Sequence, residues 1–214
     1  MPCFHLRIVV RLDNGLPSLF YSQRNHFRRP SPFNSPIVHK SMALIHSFPP
    51  AVTPDAHTLI LGSMPGDASL RAGEYYANPR NHFWKILGVL VGAGPDLPYP
   101  ERLSKLTGAG FALWDVLQSC ERQGSLDSSI IPSSITPNDF TTFLTTYRGV
   151  QRIFFNGTAA ETAFRRHVIP VLPSLSCSLC RLPSTSPANA RFTLQRHLDA
   201  WQILCADAPM AQGM

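Results

Sequence analysis

The stretch His57-Thr-Leu-Ile-Leu-Gly-Ser-Met-Pro-Gly66 decides the fold. Its apolar run is continuous instead of alternating, so residues 57–61 read as a strand covered on both faces and closed by Gly62-Ser63. The glycines flanking Pro65 fix a tight loop whose backbone can approach a ligand closely. The same device recurs outward along the chain. Phe111-Ala-Leu-Trp114 reads as a second strand ending at Asp115, and Arg152-Ile-Phe-Phe155 as a third ending at Asn156-Gly157. Ser178-Leu-Cys-Arg-Leu182 is a fourth and ends at Pro183-Ser184.

Helical patterns lie between these strands. Asn78-Pro79 predicts a helix start, with Asn78 as N-cap and Pro79 at the first position. Phe83, Trp84, Leu87, Leu90 and Val91 then give that helix an apolar stripe. Thr136-Pro137 predicts another helix carrying Phe140, Phe143, Leu144 and Tyr147, and residues 159–168 predict a third. Leu194, Leu198, Trp201 and Cys205 share one face of a last one. Strand–helix alternation predicts an α/β fold, a three-layer α/β/α sandwich around a central four-stranded parallel sheet. Ligands bind such sheets beyond the carboxyl ends of the strands, where all four runs break into polar or glycine-rich segments. That convergence locates a site without naming its chemistry.

With 214 residues the chain suits one domain and is short for two. Its hydrophobic content of 44% is that of a globular protein. No apolar run approaches the roughly 18 residues that span a bilayer, so no membrane is expected. The net charge of +6 is unevenly spread. Residues 1–41 hold Arg7, Arg11, Arg24, Arg28, Arg29 and Lys40 against Asp13 alone, and the remainder is nearly neutral. Bulk charge therefore does not argue for nucleic acid; only a local patch can. Residues 1–41 read as a basic, disordered or artefactual extension ahead of a start at Met42, with an organellar presequence as the alternative. Residues 42–214 read as the single folded domain.

The odd set Cys3, Cys120, Cys177, Cys180 and Cys205 has no framework spacing and favours a reducing compartment, here the cytoplasm. Cys177 and Cys180 form a lone C-x-x-C without a second pair, so core thiols are expected and no metal.

Three segments carry candidate chemistry. Gly62, Ser63, Met64, Pro65 and Gly66 form the loop after the first strand. Tyr75-Tyr-Ala-Asn-Pro-Arg-Asn-His-Phe-Trp84 sets tyrosines, amides and a Phe-Trp pair side by side, so that Tyr76 and Phe83 can stack on a flat heterocycle. The plainer alternative is that Asn78 caps a helix while Phe83 and Trp84 fill the core. Leu182-Pro-Ser-Thr-Ser-Pro-Ala-Asn-Ala190 is a Ser/Thr/Pro loop ahead of a helix and suits phosphate contacts, or is a simple loop and N-cap.

In this order the three segments resemble the uracil-DNA glycosylase superfamily. Gly62-Ser-Met-Pro-Gly66 matches its first motif, which in the mismatch-specific uracil/thymine enzymes reads Gly-Ile-Asn-Pro-Gly. Leu182-Pro-Ser-Thr-Ser-Pro187 is similar to its second, whose loop enters the minor groove. The hypoxanthine-DNA glycosylase branch, or family six, is most similar, through Gly-Ser-Met-Pro-Gly, Tyr-Tyr-Ala and Ser-Pro-Ala-Asn. Trp114-Asp-Val-Leu117 and Gly124-Ser-Leu-Asp127 also look characteristic of it, and the resemblance spans about residues 43–205.

The resemblance implies a monofunctional enzyme that hydrolyses the N-glycosidic bond of deaminated bases, chiefly hypoxanthine, in double-stranded DNA. It further implies a monomer without a cofactor. Met64 stands where related enzymes carry a water-positioning asparagine, and the resemblance moves the catalytic amide to Asn81, placed in the first helical turn. The alternative for Asn81 is a bond to its own backbone. Asn156 joins the base pocket, and Ser184, Thr185, Ser186, Pro187, Ala188 and Asn189 form the DNA-contacting loop, with Ala188 or Asn189 as wedge. Ser63, Asp115 and Asn156 are the fallback catalytic candidates. A uracil or mismatch-thymine glycosylase is the nearest alternative, and Met64 counts against it. A non-catalytic DNA- or nucleotide-binding α/β module is the other; no G-x-G-x-x-G or P-loop pattern supports a cofactor fold.

Overall fold

The computed structural model describes residues 44–206; the extension expected over residues 1–41, with Cys3, lies outside that range. The elements run Leu44–His46 (β1), Thr58–Gly62 (β2), Asp67–Ala72 (α1), Phe83–Val91 (α2), Tyr99–Gly108 (α3), Phe111–Asp115 (β3) and Leu117–Glu121 (β4). Thr136–Pro137 (β5), Phe140–Thr146 (α4), Arg152–Asn156 (β6), Thr158–Ala163 (α5), Ser178–Leu182 (β7) and Leu194–Trp201 (α6) follow.

The four strands read from the sequence form one parallel sheet in the order β3-β2-β6-β7. Every residue of β2 and β3 is buried, which is why their apolar runs do not alternate. Successive side chains of a strand point to opposite faces, and the core divides accordingly. Leu59 and Leu61 pack with Phe140 and Phe143 of α4 and Phe164 beyond α5. Ile60 packs with Phe83 and Trp84 of α2, Leu106 of α3 and Trp201 of α6. Two apolar layers, each covered by helices, make the sandwich.

The chain passes from β2 to β3 on one side of β2 and then crosses to β6 on the other. That reversal leaves a crevice outside the carboxyl ends of β2 and β6, the usual ligand position in open α/β sheets.

Several local expectations are corrected. A second sheet, with β4 between β1 and β5, was not foreseen, nor were α1 and α3. Thr136-Pro137 pairs with β4 instead of opening a helix, and α4 begins after Asp139, whose carboxylate accepts the Thr142 N–H as N-cap. Cys205 lies beyond α6 and is exposed; Leu204 takes the buried place. The second helix begins at Phe83, not at Asn78-Pro79. Asn78 closes a turn of its own, its Oδ1 accepting the Arg80 N–H and its carbonyl the Asn81 N–H. Among the described residues no helix is long and apolar enough to cross a membrane.

Candidate active site

A cleft of about 510 Å³ opens at the crevice between β2 and β6. The loop after β2, the Tyr75–Asn81 segment, the end of β3, the Ser125–Asp127 loop, Asn156 and the Ser184–Ala188 loop all line it. Segments far apart in the sequence thus meet at one place, the end of the sheet where the strands break.

The first wall is the Gly62–Gly66 loop. Gly62 is required by close approach: a Cβ there would run into the Asp115 carboxylate and stand 2.9 Å from the Tyr76 hydroxyl. Ser63 donates to Asp127 Oδ1 at 2.8 Å, and the Asp67 N–H donates to Ser125 Oγ at 2.8 Å. The buried guanidinium of Arg122 donates to Pro65 O at 2.5 Å and to Gly124 O at 2.7 Å. Gly124-Ser-Leu-Asp127 is thereby latched onto the loop. Met64 lines the cleft, yet its side chain is largely buried in the Leu59–Phe140 layer.

The second wall is the segment before α2. Tyr76 is the one non-glycine among the described residues with a left-handed backbone, φ +54°. An aromatic residue there is strained, and such strain concentrates at functional sites. The turn lays the Tyr76 ring on Phe83, with centroids 3.9 Å apart and planes 20° from parallel. Phe83 is fully buried and does not itself line the cleft, which corrects its expected place in the base pocket. It is the support beneath Tyr76.

Asn81 lines the cleft two residues ahead of α2, not within the first turn as expected. Its Oδ1 accepts the Phe83 N–H at 2.9 Å, satisfying a helix-end donor. Its Nδ2 makes no hydrogen bond among the described residues. The tied oxygen fixes which end of the amide faces the cleft.

The third wall joins β6 to the Ser184–Asn189 loop. Asn156 Oδ1 accepts the Thr185 N–H and Asn156 Nδ2 donates to Thr185 Oγ1, both at 2.8 Å. Thr185 is 1% exposed. Gly157, at φ +96°, lets the loop approach: a Cβ there would lie 2.6 Å from Ser184 Cβ. Ser184 O accepts from Asn189 Nδ2 at 3.0 Å and from His197 Nε2 at 2.9 Å. The carbonyl can only accept, so His197 Nε2–H donates to it, and the facing Nδ1 atoms of His197 and His82, 3.1 Å apart, share one hydrogen between them. Trp201 Nε1 donates to Pro183 O at 3.1 Å. The base of the loop is pinned, and Pro187 and Ala188 stand exposed at its tip. Asn189, folded back onto Ser184, does not project.

Asp115 closes the floor at the end of β3. It is 3% exposed, and its Oδ2 has no hydrogen-bond partner. Burial, reinforced by the Asp127 carboxylate and opposed by Arg122, pushes its pKa up to about 8. Asp127 lies exposed at the cleft rim, where partial desolvation of its carboxyl raises it against the Ser63 hydrogen bond and Arg122. The Tyr76 hydroxyl is also buried, with the Asn156 amide as its polar neighbour, and burial holds it in the phenol form. The sequence reading named Asp115 only as a strand end and fallback. It missed the cleft positions of Arg80 and Asp127, and the latch made by Arg122.

A family model of the uracil DNA glycosylase superfamily matches residues 49–205, a stretch that holds every wall just described. This chain belongs to that superfamily. As a DNA glycosylase it is a hydrolase of N-glycosyl bonds with DNA as substrate. A hypoxanthine DNA glycosylase of Methanosarcina acetivorans is 35% identical over 158 residues, which are 73% of this chain and 95% of that protein. One from Methanosarcina barkeri is 32% identical over 155 residues, 72% of this chain and 93% of that protein. The NMR structure of a candidate uracil DNA glycosylase from Methanosarcina acetivorans superposes with a TM-score of 0.63 at 34% identity. It covers 76% of this glycosylase and 96% of its own chain.

Proposed function

We propose that this glycosylase hydrolyses the bond between N9 of hypoxanthine and C1′ of deoxyribose in duplex DNA, leaving the strand uncut. The observation that carries the reading is the tethered amide of Asn81. Hypoxanthine presents the O6 acceptor beside the N1–H donor, and adenine presents the reverse. With Oδ1 held by the Phe83 N–H, the amide offers Nδ2 as donor and cannot turn over without giving up that bond. It therefore suits a carbonyl and rejects an amino group. Leaving-group departure builds negative charge on the base, and an oriented donor at its oxygen stabilises that charge.

The rest of the cleft supports the same reading. The base must first leave the stack, at about a few kcal/mol. Tyr76 gives it a surface to stack on, and the Pro187-Ala188 tip is the wedge that holds the duplex open. Asn156 keeps that loop in register from within the pocket. Two relatives named hypoxanthine DNA glycosylase match across nearly their whole length, which favours hypoxanthine over the alternatives. The proposal includes a cytoplasmic monomer.

Purified protein incubated with duplexes carrying a single hypoxanthine, uracil, xanthine or adenine tests it, the abasic product being scored by alkaline cleavage. Hypoxanthine should be excised fastest and adenine not at all. Excision of uracil with none of hypoxanthine would replace the reading with a uracil glycosylase. No abasic product from any duplex would replace it with a binding module.

A further inference from the structure

The floor of the cleft holds the buried Asp115 Oδ2, which has no partner, beside the buried Tyr76 hydroxyl, whose polar neighbour Asn156 is committed to Thr185. Burying such a group unsatisfied destabilises the fold, so a fold retains it where a ligand completes it. Both converge above Gly62, where even a methyl group would strike the carboxylate and crowd the hydroxyl. The absence of a side chain at that position leaves the floor open to the cleft that Asn81 lines from the second wall. We propose that Asp115 is a catalytic acid of this glycosylase and gives its proton to the hypoxanthine ring as the ring departs. The inference rests on the hydrolase reading above and adds a second group to it.

The step balances. The C1′–N9 bond breaks with its electron pair passing to the base, and the Asp115 proton forms a new N–H bond on the ring, at N7. The base leaves neutral and Asp115 is left as carboxylate. Water adds to C1′ as hydroxyl, and the proton it releases replaces the one Asp115 gave up. The protein keeps Asp115 ready for this role. Tyr75 and Tyr76 face it as neutral phenols, Asp127 faces it from the loop after β4 and favours the protonated form, and only the Arg122 guanidinium opposes. A buried carboxyl kept neutral by its surroundings is a recurring device for donating to a developing anion.

Single-turnover excision of hypoxanthine from a duplex, followed from about pH 6.5 to about pH 9.5, tests the proposal on the native protein. An acid must hold its proton to act, so the rate should fall as pH rises through about 8, roughly tenfold per unit beyond it. Asp115→Asn keeps the shape and a donor but has no proton to transfer. It should be about a hundredfold slower at neutral pH, with a level profile, and should bind an uncleavable lesion duplex as the native protein does. A native rate that is level across the window, or that rises through 8 as a water-activating carboxylate requires, overturns the proposal. So does a folded Asp115→Asn protein within about threefold of native. In each of these cases hypoxanthine is still released and the hydrolase reading stands. Native protein that releases no hypoxanthine at any pH overturns that reading and the proposal with it.

Discussion

Asn81, just ahead of α2, commits one end of its amide to the Phe83 N–H and keeps the other open to the cleft, whereas Asn156, at the end of β6, has both ends taken by Thr185. The same side chain lines the same cleft in two states of commitment. A half-satisfied amide at a helix end is oriented and still able to donate. A fully satisfied one is a fastener, joining the sheet to the loop that carries Pro187 and Ala188. In the proposed function the difference puts recognition in the wall before α2 and positioning in the wall after β6.

The largest expected effect lies at Asn81. Asn81→Ala should lower single-turnover excision at least about a hundredfold, the scale of losing one oriented donor. Binding to an uncleavable lesion duplex should change far less, because phosphate contacts dominate affinity. Asn81→Asp sharpens the reading. Its carboxylate still accepts the Phe83 N–H but offers no donor and adds charge beside a base that gathers negative charge as it departs. If donation is the role, it should be nearly as poor as alanine; if water activation is the role, it should retain much of the rate. An alanine variant excising at close to the native rate would move the chemistry away from Asn81 altogether.

Asn156 should show a smaller and different loss. Asn156→Ala strands the buried Thr185 N–H and hydroxyl, at about 1–3 kcal/mol. That corresponds to a fall in Tm of roughly 2–12 °C for a domain of this size. Lesion-duplex affinity and rate should fall together, on the order of tenfold, as the loop loosens. Asn156→Asp breaks the comparison or secures it. The carboxylate can accept both the Thr185 N–H and, after the hydroxyl turns, the Thr185 O–H. A fastener is thus preserved, and the aspartate variant should bind and react much as native. If it is as slow as alanine with an unaltered Tm, the Asn156 amide touches the base.

The strand ends of this site were legible in the sequence, and much of its interior was not, for a physical reason. A strand covered on both faces must be apolar without alternation, and its break into Gly62-Ser63, Asp115 or Asn156-Gly157 is a local signal. Asn78-Pro79 carries an equally local helix-start signal, yet tertiary contacts override it. The Tyr75–Asn81 segment is bent by the left-handed turn at Tyr76 and held by the Trp84 Nε1 bond to Tyr75 O, so Asn81 takes the first helical N–H instead. The latch of Arg122 on Pro65 spans 57 residues and the Ser63–Asp127 bond 64. No periodicity or turn chemistry records contacts of that range. Phe83 shows the intermediate case: its aromatic character was legible, but which of two stacked rings would meet the cleft depends on the φ of Tyr76.

Asp115 contrasts with both asparagines because it has no partner at all on Oδ2, and this should be visible in stability. Its pKa is near 8 in the fold and near the ordinary 3.8 when unfolded. Below the ordinary value both states are protonated and the buried site adds no cost through ionisation. As pH rises toward 8 the unfolded chain releases its proton first, so stability is progressively lost, and above about 8 the loss levels off. Asp115→Asn removes this dependence. It should melt about 5 °C or more above native at pH 8, with the gap closing toward pH 5, the pattern of an active site that holds stability below its maximum. Equal melting temperatures at both pH values would place an ionised, well-solvated carboxylate at the floor.

The smallest effect is expected at the opposite end of the sheet. Cys177 directly precedes β7, and its thiol donates to Val150 O at 3.2 Å, just ahead of β6, where both strands begin rather than end. Cys180, midway along β7, is half-buried against the layer of α2 and α6. Among the described residues no three His, Cys, Asp or Glu side chains gather to hold an ion. Cys177→Ser together with Cys180→Ser exchanges weak, polarisable contacts for hydroxyls, the first within reach of Val150 O and the second with only the more distant Arg181 O, 4.0 Å from the native thiol. A stability cost of about 1–2 kcal/mol is expected, since each hydroxyl is only partly desolvated. Single-turnover excision should stay within about twofold of native, because sites this far apart with no shared partners act independently. Metal analysis of native and doubly substituted protein should find no stoichiometric zinc or iron in either. If the double variant stays folded but loses more than about tenfold in rate, the independence assumed between the two ends of the sheet fails. The assignment of recognition to one wall and positioning to another would then have to be drawn again across the whole sheet, with β7 as the element that couples them.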